Sequence, residues 1–268
     1  MHRLTVAVTA LATAAIMLAG GCSSSTKSNP KSTPAGGGTD SSAAVRGTVT
    51  VFAASSLTEA FTTLAKQFQA AHSAVTVKLN FGASSDLANS INQGAPADVF
   101  ASASPTNMRQ VSDAGGASGA TNFVKNFMEI AVPPSNPAGV TAVTDLARSG
   151  VKVALCAAQV PCGAAAAQVF AKAKITVKPV TLEQNVKSTL TKVELGEVDA
   201  GVVYVTDVKT AGSKVKGIVI PADIDASTEY PIAALTKAAN SAGAQAFVAY
   251  VLSQAGQRVL FADGFEKP

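Results

Sequence analysis

The sequence predicts an α/β protein, with mixed, mostly parallel sheets flanked by helices. Three observations predict it. β-Rich runs alternate with segments of helical spacing from Val49 onward, which is the order that builds parallel sheets. Hydroxyl residues and glycines gather where strands give way to helices, the place where open α/β sheets take ligands. Pro133-Pro134 then interrupts this alternation, and a second set of units follows. Apolar residues make up 47% of the 268, so the stretch 47–268 can bury a core for two modest domains or one large one.

Residues 49–53 form the opening strand, and Leu57, Ala60, Phe61, Leu64 and Phe68 recur at helical spacing across 57–70. Residues 75–81 are the next strand, 87–93 a short helix and 98–102 a third strand. The apolar run 127–132 ends at the proline pair. In the second set, 151–156 is a strand, 164–172 an Ala-rich helix, 177–180 a strand and 186–194 a helix. Strands at 200–205 and 217–220 follow, then a return strand at 230–235 and a long helical region over 242–261. The simplest arrangement is two lobes joined by two crossing segments: 47–131 plus 227–268 as lobe 1, and 132–226 as lobe 2.

Four strand-to-helix junctions carry the candidate chemistry. Helix starts expose unpaired backbone N–H groups and the positive end of the helix dipole, so they suit anions. At the first junction Ser56 and Glu59 have capping-box spacing. The second, Gly82-Ala83-Ser84-Ser85-Asp86, puts serines at a helix head. The third, Gln159-Val160-Pro161-Cys162-Gly163, is a tight turn where a backbone N–H would face a cleft, and the fourth brings Asn185 as a cap before Val186. Tyr204, ending Gly201-Val202-Val203-Tyr204, adds a phenolic donor. Serine and asparagine are also ordinary caps, and a hydroxyl can do both jobs, accepting from its own helix while donating to an anion.

At the other end of the chain, Arg3 precedes an apolar run over 4–18 that is short for a permanent span and reads as a signal peptide, 1–21. Leu18-Ala19-Gly20-Gly21-Cys22 resembles the lipobox, with Ala19 where leucine is usual; the expectation is lipidation at Cys22, the alternative an ordinary secretory signal. Residues 22–46 are rich in Ser, Thr, Gly and Pro, the composition of a flexible tether. Of the three cysteines, Cys156 and Cys162 remain after Cys22, and an oxidising compartment favours a disulfide between them over two free thiols.

The formal charge of +4 becomes +3 without Arg3, the lysines are scattered and there is no Trp, so nucleic acid is not an expected partner. Two histidines and dispersed carboxylates make no metal cluster. An envelope hydrolase using Cys162 or a serine would need a base near its nucleophile, and His72 stands in a different unit with no Gly-x-Ser-x-Gly elbow.

The strings Val-Phe-Ala-Ala-Ser-Ser-Leu at 51–57, Gly-Ala-Pro-Ala-Asp-Val-Phe at 94–100, Val-Pro-Cys-Gly at 160–163 and Gly-Val-Val-Tyr at 201–204 resemble the molybdate-binding component of ABC transporters. That resemblance implies a two-lobed type II periplasmic-binding-protein fold with the ligand in the cleft between lobes. It also implies a monomer without enzymatic activity or cofactor that captures molybdate, and tungstate, and delivers it to an ABC permease from the outer face of the membrane. Carried over by motif, hydroxyl ligands fall on Ser56 and Ser84, backbone donors on Cys162 and Val186, and a tyrosine ligand on Tyr204. Asp98 matches a family position too and reads as structural. A shell of neutral donors would hold a dianion through charge-assisted hydrogen bonds of ~1.5–3 kcal/mol each and helix dipoles of ~0.3–1 kcal/mol each. It would disfavour protonated phosphate; sulfate is the remaining alternative ligand.

Overall fold

The computed structural model describes residues 45–268; the signal peptide, Cys22 and nearly all of the tether lie outside the described residues. Strand β1 (Gly47–Ala54) runs into a single 3₁₀ turn, Ser55–Leu57, and then helix α1 (Thr58–Ala71), which buries Phe61, Leu64 and Phe68. Next come β2 (Val75–Gly82), α2 (Ser84–Asn92), β3 (Val99–Ala101) and α3 (Pro105–Asp113). The long strand β4 (Thr121–Val132) leads to β5 (Val153–Cys156), α4 (Pro161–Ala173), β6 (Thr181–Glu183), α5 (Val186–Glu194), β7 (Ala200–Tyr204) and α6 (Val205–Ala211). Strands β8 (Lys216–Val219) and β9 (Ser227–Ala234) precede α7 (Ser241–Leu252) and α8 (Gln254–Ala262).

The strand order is β2-β1-β3-β9-β4-β7-β5-β6, with β8 also on β4. β1 pairs in parallel with β2 and β3, and β5 with β6 and β7, whereas every pair made by β4 or β9 is antiparallel. β4 changes partner along its length: Thr121 to Phe127 lie against β9, Met128 to Ala131 against β7. The cores follow that change. One is drawn from Met128 to Ala226 together with Ala83; two others are drawn from residues of β1–β3, α1–α3, the first half of β4, β9 and the C-terminal helices. Asp98 ties the N-terminal sheet together, accepting from the Thr50 N–H at 2.7 Å and from the Asn240 N–H at 2.9 Å.

Several elements differ from the sequence expectation. Residues 177–180 are not a strand; β6 starts at Thr181, just past Pro179, which has no N–H for a ladder. α3 was not expected, because its sequence PTNMRQVSD offers few apolar residues; Ser104 starts it, accepting from the Thr106 N–H at 3.2 Å, with Pro105 in the first turn. α6 is not anticipated either: the expected strand 200–205 ends on its first residue, Val205. The C-terminal helical region breaks at Ser253, whose Oγ accepts from the Gly256 N–H to start α8. The Ser56–Glu59 capping box does not form: α1 follows the 3₁₀ turn, and Glu59 instead pairs with Lys187 Nζ at 2.8 Å.

Candidate functional site

Five helix starts converge on one cavity. Its walls are Ala54, Ser55 and Ser56 ahead of α1, Gly82, Ala83 and Ser84 at α2, and Val160, Pro161 and Cys162 at α4. Asn185 and Val186 at α5, Tyr204 at α6 and Ala103 complete it. Ser56, Ser84, Cys162, Val186 and Tyr204 thus all line the same space, although they come from five separate segments. The cavity is small, about 10 Å³, far below the roughly 300–1,000 Å³ of pockets for drug-sized ligands.

The lining contains no Asp, Glu, Lys, Arg or His. What it offers are donors. Cys162 and Val186 sit in the first turns of α4 and α5, where a backbone N–H has no carbonyl one turn back to receive it. The residue before α4, Val160, brings no capping side chain, and Asn185 spends its Oδ1 on the Ser188 N–H at 3.0 Å. Ser84 Oγ accepts from the Ala103 N–H at 2.9 Å, which occupies a lone pair and leaves its hydrogen for a ligand. Ser56 Oγ lies 2.9 Å from Tyr230 Oη.

Tyr204 is buried and its Oη has no hydrogen-bond partner among the described residues. A buried hydroxyl without a partner is costly, and this one lines the cavity. Burial, with Tyr230 and Asp207 nearby, holds its pKa well above 10.0, so it is a neutral donor. Lys187, next to Val186, does not line the cavity: its Nζ lies 2.8 Å from Glu59 Oε2 and 3.0 Å from Asp207 Oδ1. Asp207 in turn accepts from the Tyr204 N–H at 3.1 Å.

The α4 start is held by its own loop. Cys156, at the end of β5, and Cys162 are joined by a disulfide with Cα atoms 5.8 Å apart. Gly163 allows the turn: a Cβ there would sit 2.0 Å from the Ala157 carbonyl oxygen. Among the described residues there is no group of His, Cys, Asp and Glu able to hold a metal ion.

Sequence reasoning did not select Tyr230 or Asn126 for this region. Tyr230 stands in the apolar run of β9, and only its phenol tip, a polar group in an otherwise apolar strand, marks it.

Comparison with known proteins agrees in one direction. The family model described as bacterial extracellular solute-binding protein matches residues 49–266. The molybdate-binding protein ModA of Mycobacterium tuberculosis is 39% identical over 253 residues, covering 94% of this chain and 95% of the relative. The ModA of Escherichia coli is 32% identical over 231 residues, covering 82% of this chain and 89% of the relative. Among solved structures, the periplasmic molybdate-binding protein of Azotobacter vinelandii superposes with a TM-score of 0.73 at 20% identity, over 82% of this chain and 99% of that one.

Proposed function

We propose, from the premise that this chain belongs to the family of bacterial extracellular solute-binding proteins, that it captures molybdate, and tungstate with it, and passes the anion to an ABC importer. One observation carries the reading: five helix starts open on a small cavity whose lining holds donors and no charged side chain. In this reading Ser56 and Ser84 give hydroxyl hydrogens, Cys162 and Val186 give backbone N–H groups and Tyr204 gives its phenol hydrogen. No metal cofactor takes part, and the chain performs no catalysis. The similarity to the M. tuberculosis molybdate-binding protein supports molybdate over other tetrahedral dianions.

The two lobes of this reading are 47–131 plus 227–268, and 132–226. Its support is the switch of β4 from β9 to β7 and the separate cores on either side of it. Closure of one lobe on the other would bring the serines of the first against the helix starts of the second. The protein works as a monomer, held at the outer face of the membrane by lipid on Cys22 and the tether behind it.

A ligand that binds only the folded state raises its melting temperature. Thermal unfolding with molybdate, tungstate, sulfate and phosphate in turn is the test. The expected result at a ligand concentration about 100 times Kd is a rise of roughly 5 °C or more for molybdate and tungstate. No rise with either would end the proposal.

A further inference from the structure

The hydrogen bonds behind Ser56 run in one direction. Asn126 is buried, and the Phe127 N–H donates to its Oδ1 at 3.0 Å, which fixes which way its amide faces. Its Nδ2 therefore points inward, donating to Thr206 Oγ1 at 2.8 Å and approaching Tyr230 Oη at 3.5 Å. An amide NH₂ donates and cannot accept, so the Tyr230 proton has no home there. Ser56 Oγ, at 2.9 Å, receives it. The opposite assignment, Ser56 donating to Tyr230, would leave a fully buried O–H without an acceptor, since Tyr204 Oη has no hydrogen-bond partner among the described residues. With a lone pair already taken, Ser56 turns its own hydrogen into the cavity.

We propose that Tyr230, oriented by Asn126, is a specificity-determining positioning residue: it locks Ser56 as a donor, so that the cavity rejects oxyanions carrying a proton. The inference rests on the oxyanion reading above. Hydrogen phosphate must place its P–OH against an acceptor, and a locked Ser56 offers hydrogen where an acceptor is needed. The Ala103 N–H holds Ser84 in the same donor sense. Burial also keeps the Tyr230 phenol protonated, its pKa pushed far above the usual 10.0.

Tyr230→Phe removes the proton that locks Ser56 while keeping the ring that packs on Phe123, Tyr204 and Phe265. The test is calorimetric titration of the mature chain with molybdate and with inorganic phosphate, at mildly alkaline pH where phosphate carries two charges and one proton. In the variant Ser56 can rotate and accept from P–OH. The preference for molybdate over phosphate is then expected to shrink roughly tenfold. Asn126→Asp is the second variant. It replaces the NH₂ with an acceptor, draws the Tyr230 proton away and makes Ser56 donate backward, which shrinks the same ratio; the added charge opposes both dianions alike and cancels. An unchanged ratio in folded Tyr230→Phe overturns the inference, and Asn126→Asp decides it by the same ratio if Tyr230→Phe does not fold. If the unsubstituted chain fails to bind molybdate, the functional reading itself falls, a result seen before either variant is made.

Discussion

Two kinds of residue shape the cavity, those that give a hydrogen and those that let the backbone come close. Ser84 belongs to the first kind. Ser84→Ala removes a proposed donor to the anion and is expected to weaken molybdate binding roughly tenfold or more. It also leaves the Ala103 N–H without its acceptor, a stability cost of about 1–3 kcal/mol. Titration and thermal unfolding of the same variant separate the two, and undiminished affinity would remove Ser84 from the ligand shell. Gly163 belongs to the second kind. Gly163→Ala forces a methyl group onto the Ala157 carbonyl, so the turn must shift; the expected loss is about 1–3 kcal/mol, with a fall in ligand response because Cys162 shares the turn. A variant with the parent's melting temperature would contradict it. Ser56 and Ser84 at the cavity were legible in the sequence because a hydroxyl at a helix head is a local pattern. Tyr230 and Asn126 were not, since their roles come from pairings 174 and 80 positions apart in the chain.

The elements were legible in existence more than in extent. α5 was read at its observed bounds, while α2 and α4 start earlier than their apolar spacing suggests, because Ser84 and Pro161 open them without apolar side chains. α5 also carries an ion cluster that links it to two other helices, through Lys187 to Glu59 of α1 and Asp207 of α6. Burial works against the Lys187 charge, but Asp207 and Glu59 outweigh it and hold its pKa above 10.5. That contribution is complete below the unfolded-state value and is lost as pH rises through the folded one, on the alkaline side of 10.5. Asp207 is opposite in kind: burial raises its pKa above 3.8 in spite of Lys187, so ionising it in the folded chain is unfavourable without a counter-charge. Lys187→Ala strands that carboxylate. The expected cost at neutral pH is about 3–5 kcal/mol, shrinking as acid protonates Asp207. Melting temperature against pH for parent and variant checks both the size and the slope; a cost that grows in acid would refute the assignment.

At the scale of the whole molecule, the proline pair marks where the sequence alternation restarts, and one core is drawn from Met128 to Ala226 together with Ala83. The extent of β4 was hidden, because its first half reads Thr-Asn-Phe-Val-Lys-Asn and its pairing with β9 is a long-range choice that no local pattern records. The proposed tether and lipid make a prediction of their own. Cys22→Ala is expected to move the protein from the membrane fraction to the soluble one, and unaltered fractionation would argue against the anchor. The position of β9 between β3 and β4 has a consequence in time rather than in space. Residues 128–226 supply all of their core but Ala83 as one continuous piece of chain. The N-terminal sheet is not continuous in this way, since its strand β9 is synthesised only after all of that piece. Until Ser227–Ala234 arrives, β3 and the first half of β4 stand as open edges, and open edges recruit wrong partners. The sheet begun first thus closes only after residues 128–226 are made, and its vulnerable interval is set by how quickly Ser227–Ala234 follows.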